Sequence, residues 1–270
     1  MPEDDRSHLN LINSSGFLFQ ERVHYEVERT FRRHGFHIAA SEYHWRDTNS
    51  NAEGYIDLVL TAAPVPGDLY PIRLILECKR MLDTNWVFLV PRSSHLLSRS
   101  QCLWTYVRTD ASFTPEIGWG ETNIDPRSYE SSICIMRGQN SDKPILERLL
   151  SILTVSIESL AHEESQLQRP AQDERRLYAP IVVTNSEITV CRYAEDEIDL
   201  SKGMLSDSTI SFETVPWIRF SKSLATHLTS TERLKNLSEA HRTKERTVYV
   251  VTAQHLPEFL EAWVVRRTPW

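Results

Sequence analysis

Two short apolar runs set the frame for this chain: Gly54–Leu60 (GYIDLVL) and Arg73–Arg80 (RLILECKR). Both are brief and rich in Leu, Ile and Val, and the turn-forming residues Pro64–Asp68 (PVPGD) lie between them, so they read as successive strands. Ile72–Cys78 is apolar enough to be buried on both faces, which requires further layers packed on either side of its sheet. Each run is nonetheless broken by charge, Asp57 in the first and Glu77 and Lys79 in the second.

Around this pair the pattern alternates between helix and strand. Phe17–His34 carries Phe19, Val23, Val27, Thr30 and Phe31 at three- and four-residue spacing, which predicts an amphipathic helix. Ser14 or Ser15 is suited to cap its start and Gly35 to end it. Phe36–Trp45 and Tyr55–Leu60 follow as strands on either side of a turn-rich loop, Asp47–Gly54. Between Met81 and Met136 the pattern is irregular, with strands expected at Trp86–Val90, Leu103–Val107 and Ser132–Met136. Ser141 precedes a long apolar helix from about Pro144 to Glu163, with proline in its first turn, where it is tolerated. Glu164–Arg176 is the best loop candidate. Ala179–Thr184 and Glu187–Tyr193 are expected as a hairpin turning at Asn185-Ser186, Ser211–Phe220 and Thr247–Thr252 as further strands, and Glu258–Val265 as a final helix opened by Pro257. This order predicts an α/β fold with one sheet covered by helices, in a single domain over 1–270.

Composition narrows the function. A chain that is 40% hydrophobic and 25% charged is ordinary for a soluble globular protein, and 8 glycines against 13 prolines leave no low-complexity linker. No apolar run approaches the ~20 residues a membrane span needs. The start, MPEDDRSHLN, is too acidic and polar for a secretory signal, so a cytoplasmic location away from membranes is expected. Cys78, Cys102, Cys134 and Cys191 lie far apart, which disfavours zinc and a disulfide framework and predicts reduced thiols. A net charge of −7 argues against coating nucleic acid by bulk electrostatics. The charge is uneven, however: Trp217–Trp270 holds nine Lys/Arg against five Asp/Glu. That basic portion is suited to phosphate, or is ordinary surface charge. Arg80 and His241–Arg246 (HRTKER) are candidates for phosphate contacts, with a solvated turn as the alternative for the cluster. Acyl hydrolases, P-loop NTPases and dinucleotide enzymes lack their glycine-framed motifs here. The ten histidines are dispersed, and His34 and His37 at the helix end suit its dipole. Trp86 and Trp217 sit in apolar runs and read as core rather than as base-stacking platforms.

The chemistry rests on Asp57 and Glu77-Cys78-Lys79. Alternation along a strand puts Glu77 and Lys79 on one face and turns Cys78 to the other; Asp57 on the neighbouring strand can share the first face. Two adjacent carboxylates are costly to bury. A hard divalent cation such as Mg²⁺ removes that cost, taking oxygens from Asp57 and Glu77, with the Cys78 carbonyl in reach, and keeping waters for substrate. Lys79 is placed to orient or deprotonate an attacking water, or to neutralise charge on a phosphate. Such a set suits in-line hydrolysis of a phosphodiester.

In these residues the chain resembles the PD-(D/E)xK nuclease superfamily, over about Phe17–Lys79: a leading helix, a hairpin with Asp57, then the strand bearing Glu77 and Lys79. The resemblance implies a restriction-endonuclease-like core, a mixed central sheet flanked by helices, built from about 15–80 plus 140–195. A strand-rich insertion over 81–136 and an αβ extension over 196–270 complete the expected layout. Pro144–Glu163 and Ala179–Thr184 match the helix and strand that follow in the family; the insertion departs from its compact pattern and receives no catalytic role. The resemblance further implies another acid from the leading helix, Glu21 first and Glu26 second. It implies Mg²⁺, with Mn²⁺ as substitute, and a nucleic-acid substrate, DNA before RNA. The implied setting is a bacterial antiviral defence or restriction-type system, as a homodimer or with a partner subunit. A catalytically inactive binding subunit of the same fold and an unrelated α/β protein with simple ion pairs are the alternatives.

Overall fold

A computed structural model describes residues 3–62, 71–82, 84–94, 96, 99–107, 116–136, 144–167, 174–206, 210–224 and 236–264. The chain opens with helices α1 (Glu3–Ser14) and α2 (Phe17–His34). The second forms where its spacing predicts, because Val23, Val27, Thr30 and His34 fall on one stripe and are buried there. Gly35 ends it in the left-handed conformation (φ 79°), donating its N–H to the Phe31 carbonyl at 2.7 Å. Its start differs from expectation. Gly16 is the N-cap, without a side-chain cap, while the Ser14 and Ser15 hydroxyls donate back to the Leu11 and Ile12 carbonyls at 2.7 Å. Those serines finish α1, a helix that the polar N-terminal residues do not announce.

Strands β1 (His37–Arg46), β2 (Glu53–Ala62) and β3 (Ile72–Lys79) are antiparallel neighbours in order. The following segment supplies β4 (Trp86–Pro91), β5 (Ser100–Val107), β6 (Glu116–Thr122), β7 (Glu130–Ser131) and β8 (Cys134–Met136). The chain then passes through α3 (Ile145–Leu167) into β9 (Glu174–Thr184), which pairs parallel with β3. It ends with β10 (Ile188–Tyr193), β11 (Ile210–Thr214), β12 (Trp217–Ser223), α4 (Leu237–Arg242), β13 (Glu245–Thr252) and α5 (Leu256–Glu261).

The fold is α/β, with a mixed sheet flanked by helices. Among the described residues its large sheet has nine strands along the path β1–β2–β3–β9–β13–β12–β7, with β5 beside the first part of β9 and β6 beside β5. Its centre, β3–β9–β13, is parallel and buried on both faces, which is why these stretches read as unbroken apolar runs. Alternate residues feed two cores. Ile75, Val182 and Val250 pack with Leu150, Leu153 and Ile157 of α3. Leu74, Leu76, Ile181, Val183 and Val251 pack with Val23 and Val27 of α2 and Phe259 and Leu260 of α5.

Among the described residues the expected single sheet is two, because β11–β10–β4–β8 form a separate sheet. The expected hairpin at Asn185-Ser186 therefore does not form: β9 stays in the large sheet, and β10 leaves it to run parallel to β4. Ser211–Phe220 is likewise two strands, parted at Val215 and Pro216, and proline brings no N–H to a ladder. The polar stretch Glu164–Arg176 is helix at its start and strand at its end. Glu164 explains part of that, accepting hydrogen bonds from Arg73 (3.2 Å), Arg176 (3.1 Å) and Tyr178 (2.6 Å). The final helix is shorter than predicted, ending at Glu261, with Pro257 in its first turn. The expected Pro64–Asp68 turn, Ser141 and Val265 lie outside the described residues. All four cysteines are free, and among the described residues no helix is long and apolar enough to cross a membrane.

Candidate metal and phosphodiester site

The residues picked out by charge meet where two strands part. The β2–β3 ladder runs from Ala62 and Ile72 to Leu58 and Leu76 and goes no further. Past that point the Asp57 carboxylate takes over, its Oδ2 accepting the Cys78 N–H at 2.6 Å. Cys78 packs toward the α2–α5 core, so alternation turns Glu77 and Lys79 to the α3 face of the sheet. There Lys79 Nζ stands 2.5 Å from Glu77 Oε1, with the Glu77 side chain 14% exposed and that of Lys79 35%. The lysine thus reaches toward solvent from a carboxylate that is mostly enclosed.

Electrostatics single out Asp57. Burial, and then the Glu77 charge, push its carboxyl up to about 6, against the opposing pull of the Cys78 N–H and Lys79. Glu42 adds to the upward push. This third acid, missed in the sequence, sits on β1 between Ser41, the partner of Leu58, and Tyr43, the partner of Ile56, and so lies level with Asp57. Its φ of 49° is left-handed, uncommon for a residue with a side chain. The only local signal was an acid in a strand; its placement depends on a register that slips between Ile38 and Ala40. The Cys78 thiol is raised well above the usual range by burial and then by Asp57 and Glu77.

The helix acids stand apart. Glu21 is exposed, about 200° around α2 from buried Val23. Glu26 is engaged on its own helix by Arg22 and by Arg29, the latter at 2.5 Å. Neither is among the charges acting on Asp57. The proposed phosphate contacts are also differently employed. Arg80 donates to the Asn13 and Ser15 carbonyls, tying the end of β3 to the α1–α2 junction. In the HRTKER segment Arg246 is buried over the Trp119 ring (4.3 Å), donates to the Thr243 and Glu245 carbonyls, and is pulled down to about 10 by burial. His241, Arg242 and Lys244 remain exposed. The segment is therefore neither one basic patch nor a wholly solvated turn. Trp86 is buried in the core, as its run predicts, and Trp217 packs edge-on against Phe259.

Asn185, which the sequence offers as a turn former, clamps the chain just past the site. Its Oδ1 accepts the Met81 N–H at 2.6 Å and its Nδ2 donates to the Met81 carbonyl at 2.9 Å. For a metal, the donors on offer are two carboxylates and the Cys78 carbonyl, a hard-oxygen set of the kind Mg²⁺ takes while keeping waters. The raised Asp57 fits that need, since a cation offsets both the burial and the Glu77 repulsion that raise it. Among the described residues no three His, Cys, Asp or Glu side chains are gathered into a metal-binding group. Comparisons with models of known protein families, with curated proteins and with solved structures found no match.

Proposed function

We propose that the chain has a restriction-endonuclease-like core and acts as a Mg²⁺-dependent nuclease that hydrolyses phosphodiester bonds in DNA. The observation that carries the reading is the convergence of Asp57 with Glu77 and Lys79 at the β2–β3 fork. The order α2–β1–β2–β3–α3–β9, with β3 and β9 parallel, adds support, being the order the family resemblance implies. Asp57 and Glu77 would hold the metal, with the Cys78 carbonyl beside them. When bound, Mg²⁺ would supply positive charge for the departing oxygen and lower the cost of forming the nucleophile from water. Lys79 would leave Glu77 and turn to the scissile phosphate, offsetting charge that builds there. Mn²⁺ would substitute. A cytoplasmic defence or restriction-type setting, as a homodimer or with a partner subunit, belongs to the same reading.

The test is plasmid nicking with Mg²⁺ or Mn²⁺. Wild type is expected to cut, while Glu77→Ala and Lys79→Ala lose at least a hundredfold in rate without loss of folding. Cleavage equal in all three proteins would sink the proposal. A second reading, a non-catalytic binding subunit of the same fold, has its own support: Glu77 already pairs with Lys79, and Asp57 with the Cys78 N–H. Calorimetry separates the two, because a Mn²⁺ site lost in Asp57→Asn belongs only to the enzyme.

A further inference from the structure

At the carboxyl ends of β9 and β13 the surface opens into a cleft of about 650 Å³. Asn185 and Ser186 line it after β9, Val215 and Pro216 between β11 and β12, and Gln254 and His255 after β13. The cleft adjoins the acidic pair. Lys79 pairs with Thr184, and Thr184 with Thr252, so these three form a cross-strand row whose last member lines the cleft. Two strand spacings, about 10 Å, separate the ends of that row.

Ser186 is the group that calls for a ligand. It is 7% exposed, it lines the cleft, and its buried Oγ has no hydrogen-bond partner among the described residues. A buried hydroxyl left unpaired is costly, and a ligand atom that pairs with it removes the cost. Beside it His255 meets the Thr252 hydroxyl through Nδ1 at 2.8 Å, which leaves Nε2 for a ligand. Gln254 adds an exposed amide. Val215 and Pro216 form an apolar wall. Among the described residues no Lys or Arg lines the cleft, and Glu187 does, its Oε1 accepting the Thr214 hydroxyl at 2.7 Å. That charge balance rejects a phosphate and accepts a neutral ligand with mixed donors and acceptors. The volume lies within the roughly 300–1,000 Å³ of small-molecule pockets.

We propose that this cleft is a subsite for the nucleoside part, base and sugar, of a nucleotide adjoining the bond that is cut; the assignment rests on the nuclease reading. Ser186, Gln254 and His255 address the polar edge of the base, Val215 and Pro216 pack against its face, and the phosphate stays outside, toward Lys79.

The test uses the full chain without divalent metal and the four deoxynucleosides as probes, followed by saturation-transfer NMR and calorimetry. At least one nucleoside is expected to bind saturably in the millimolar range or tighter. Ser186→Val and Gln254→Ala are each expected to weaken it about tenfold, the scale of one hydrogen bond at a desolvated site. Lys79→Ala should bind as wild type does. Gln254 lies on an exposed turn, so that variant keeps the test open if Ser186→Val fails to fold. No binding by any nucleoside, or binding indifferent to a folded cleft variant, overturns the subsite. Nucleoside binding without a Mn²⁺ site retains the cleft and removes the nuclease; cleavage without nucleoside binding does the reverse.

Discussion

Asp57 is held in a position that favours its proton. In the unfolded chain an aspartate ionises near pH 4, whereas in the folded protein burial and the Glu77 charge push this one up to about 6. The folded state therefore binds the proton more tightly across that window, and stability falls as pH rises from about 4 to about 6. Above it the ionised carboxylate costs on the order of 2–3 kcal/mol. Asp57→Asn keeps an acceptor for the Cys78 N–H and carries no charge. It is expected to stabilise the metal-free protein by about 1–3 kcal/mol at pH 7.5 and to change little at pH 4. Urea denaturation at the two pH values, with chelator present, measures this, and an equal effect at both would refute the electrostatic account. At this scale the sequence is informative wherever a charge interrupts an apolar strand: Asp57, Glu77 and Lys79 stand out against leucine, isoleucine and valine. Glu42 does not, since its neighbour across the sheet is fixed by a bulge in β1 that no local residue announces.

At the scale of elements, the end of β3 is fixed from two directions. Arg80 anchors to the α1–α2 junction and Asn185 grips both polar groups of Met81. Asn185→Ala removes two hydrogen bonds and is expected to cost about 1–3 kcal/mol locally. Hydrogen exchange at the Met81 amide should accelerate at least fivefold, with the Leu74 amide in mid-strand unchanged. Equal acceleration at both amides would mean a global rather than a local role. The same residue shows why helices are easier to read than connections. Phe17–His34 declares itself because one stripe of the helix packs and a glycine ends it. Asn185-Ser186 has the letters of a hairpin turn, but the strands on either side belong to different sheets. Partners distant in sequence decide that, here β3 and β13 for one strand and β4 and β11 for the other.

For the molecule as a whole, what looks like a C-terminal extension is central. Glu245–Thr252 lies beside β9 in the middle of the large sheet, and α5 covers one face. A chain ending at residue 235 would leave Ile181–Thr184 unpaired on that side and uncover the α2–α5 core. It is expected to lose the cooperative unfolding transition and to be recovered as aggregate. A soluble truncated protein with a sharp transition in near-ultraviolet circular dichroism would contradict this. The αβ extension expected over 196–270 is hard to place from sequence for the same reason as the insertion. Both segments contribute strands to the large sheet, and only pairing between distant residues reveals it.

That placement also sets the order of events while the protein is being made. One flank of β9 is covered by residues 72–79, which precede it, but the second half of its other flank waits for 245–252. A nascent chain must therefore carry Ile181–Thr184 with one side bare until residues 245–252 have left the ribosome. Parallel pairing across such a gap in sequence is slow, and an exposed apolar strand recruits other chains. The period in which this protein is open to misassembly closes only when residues 245–252 arrive.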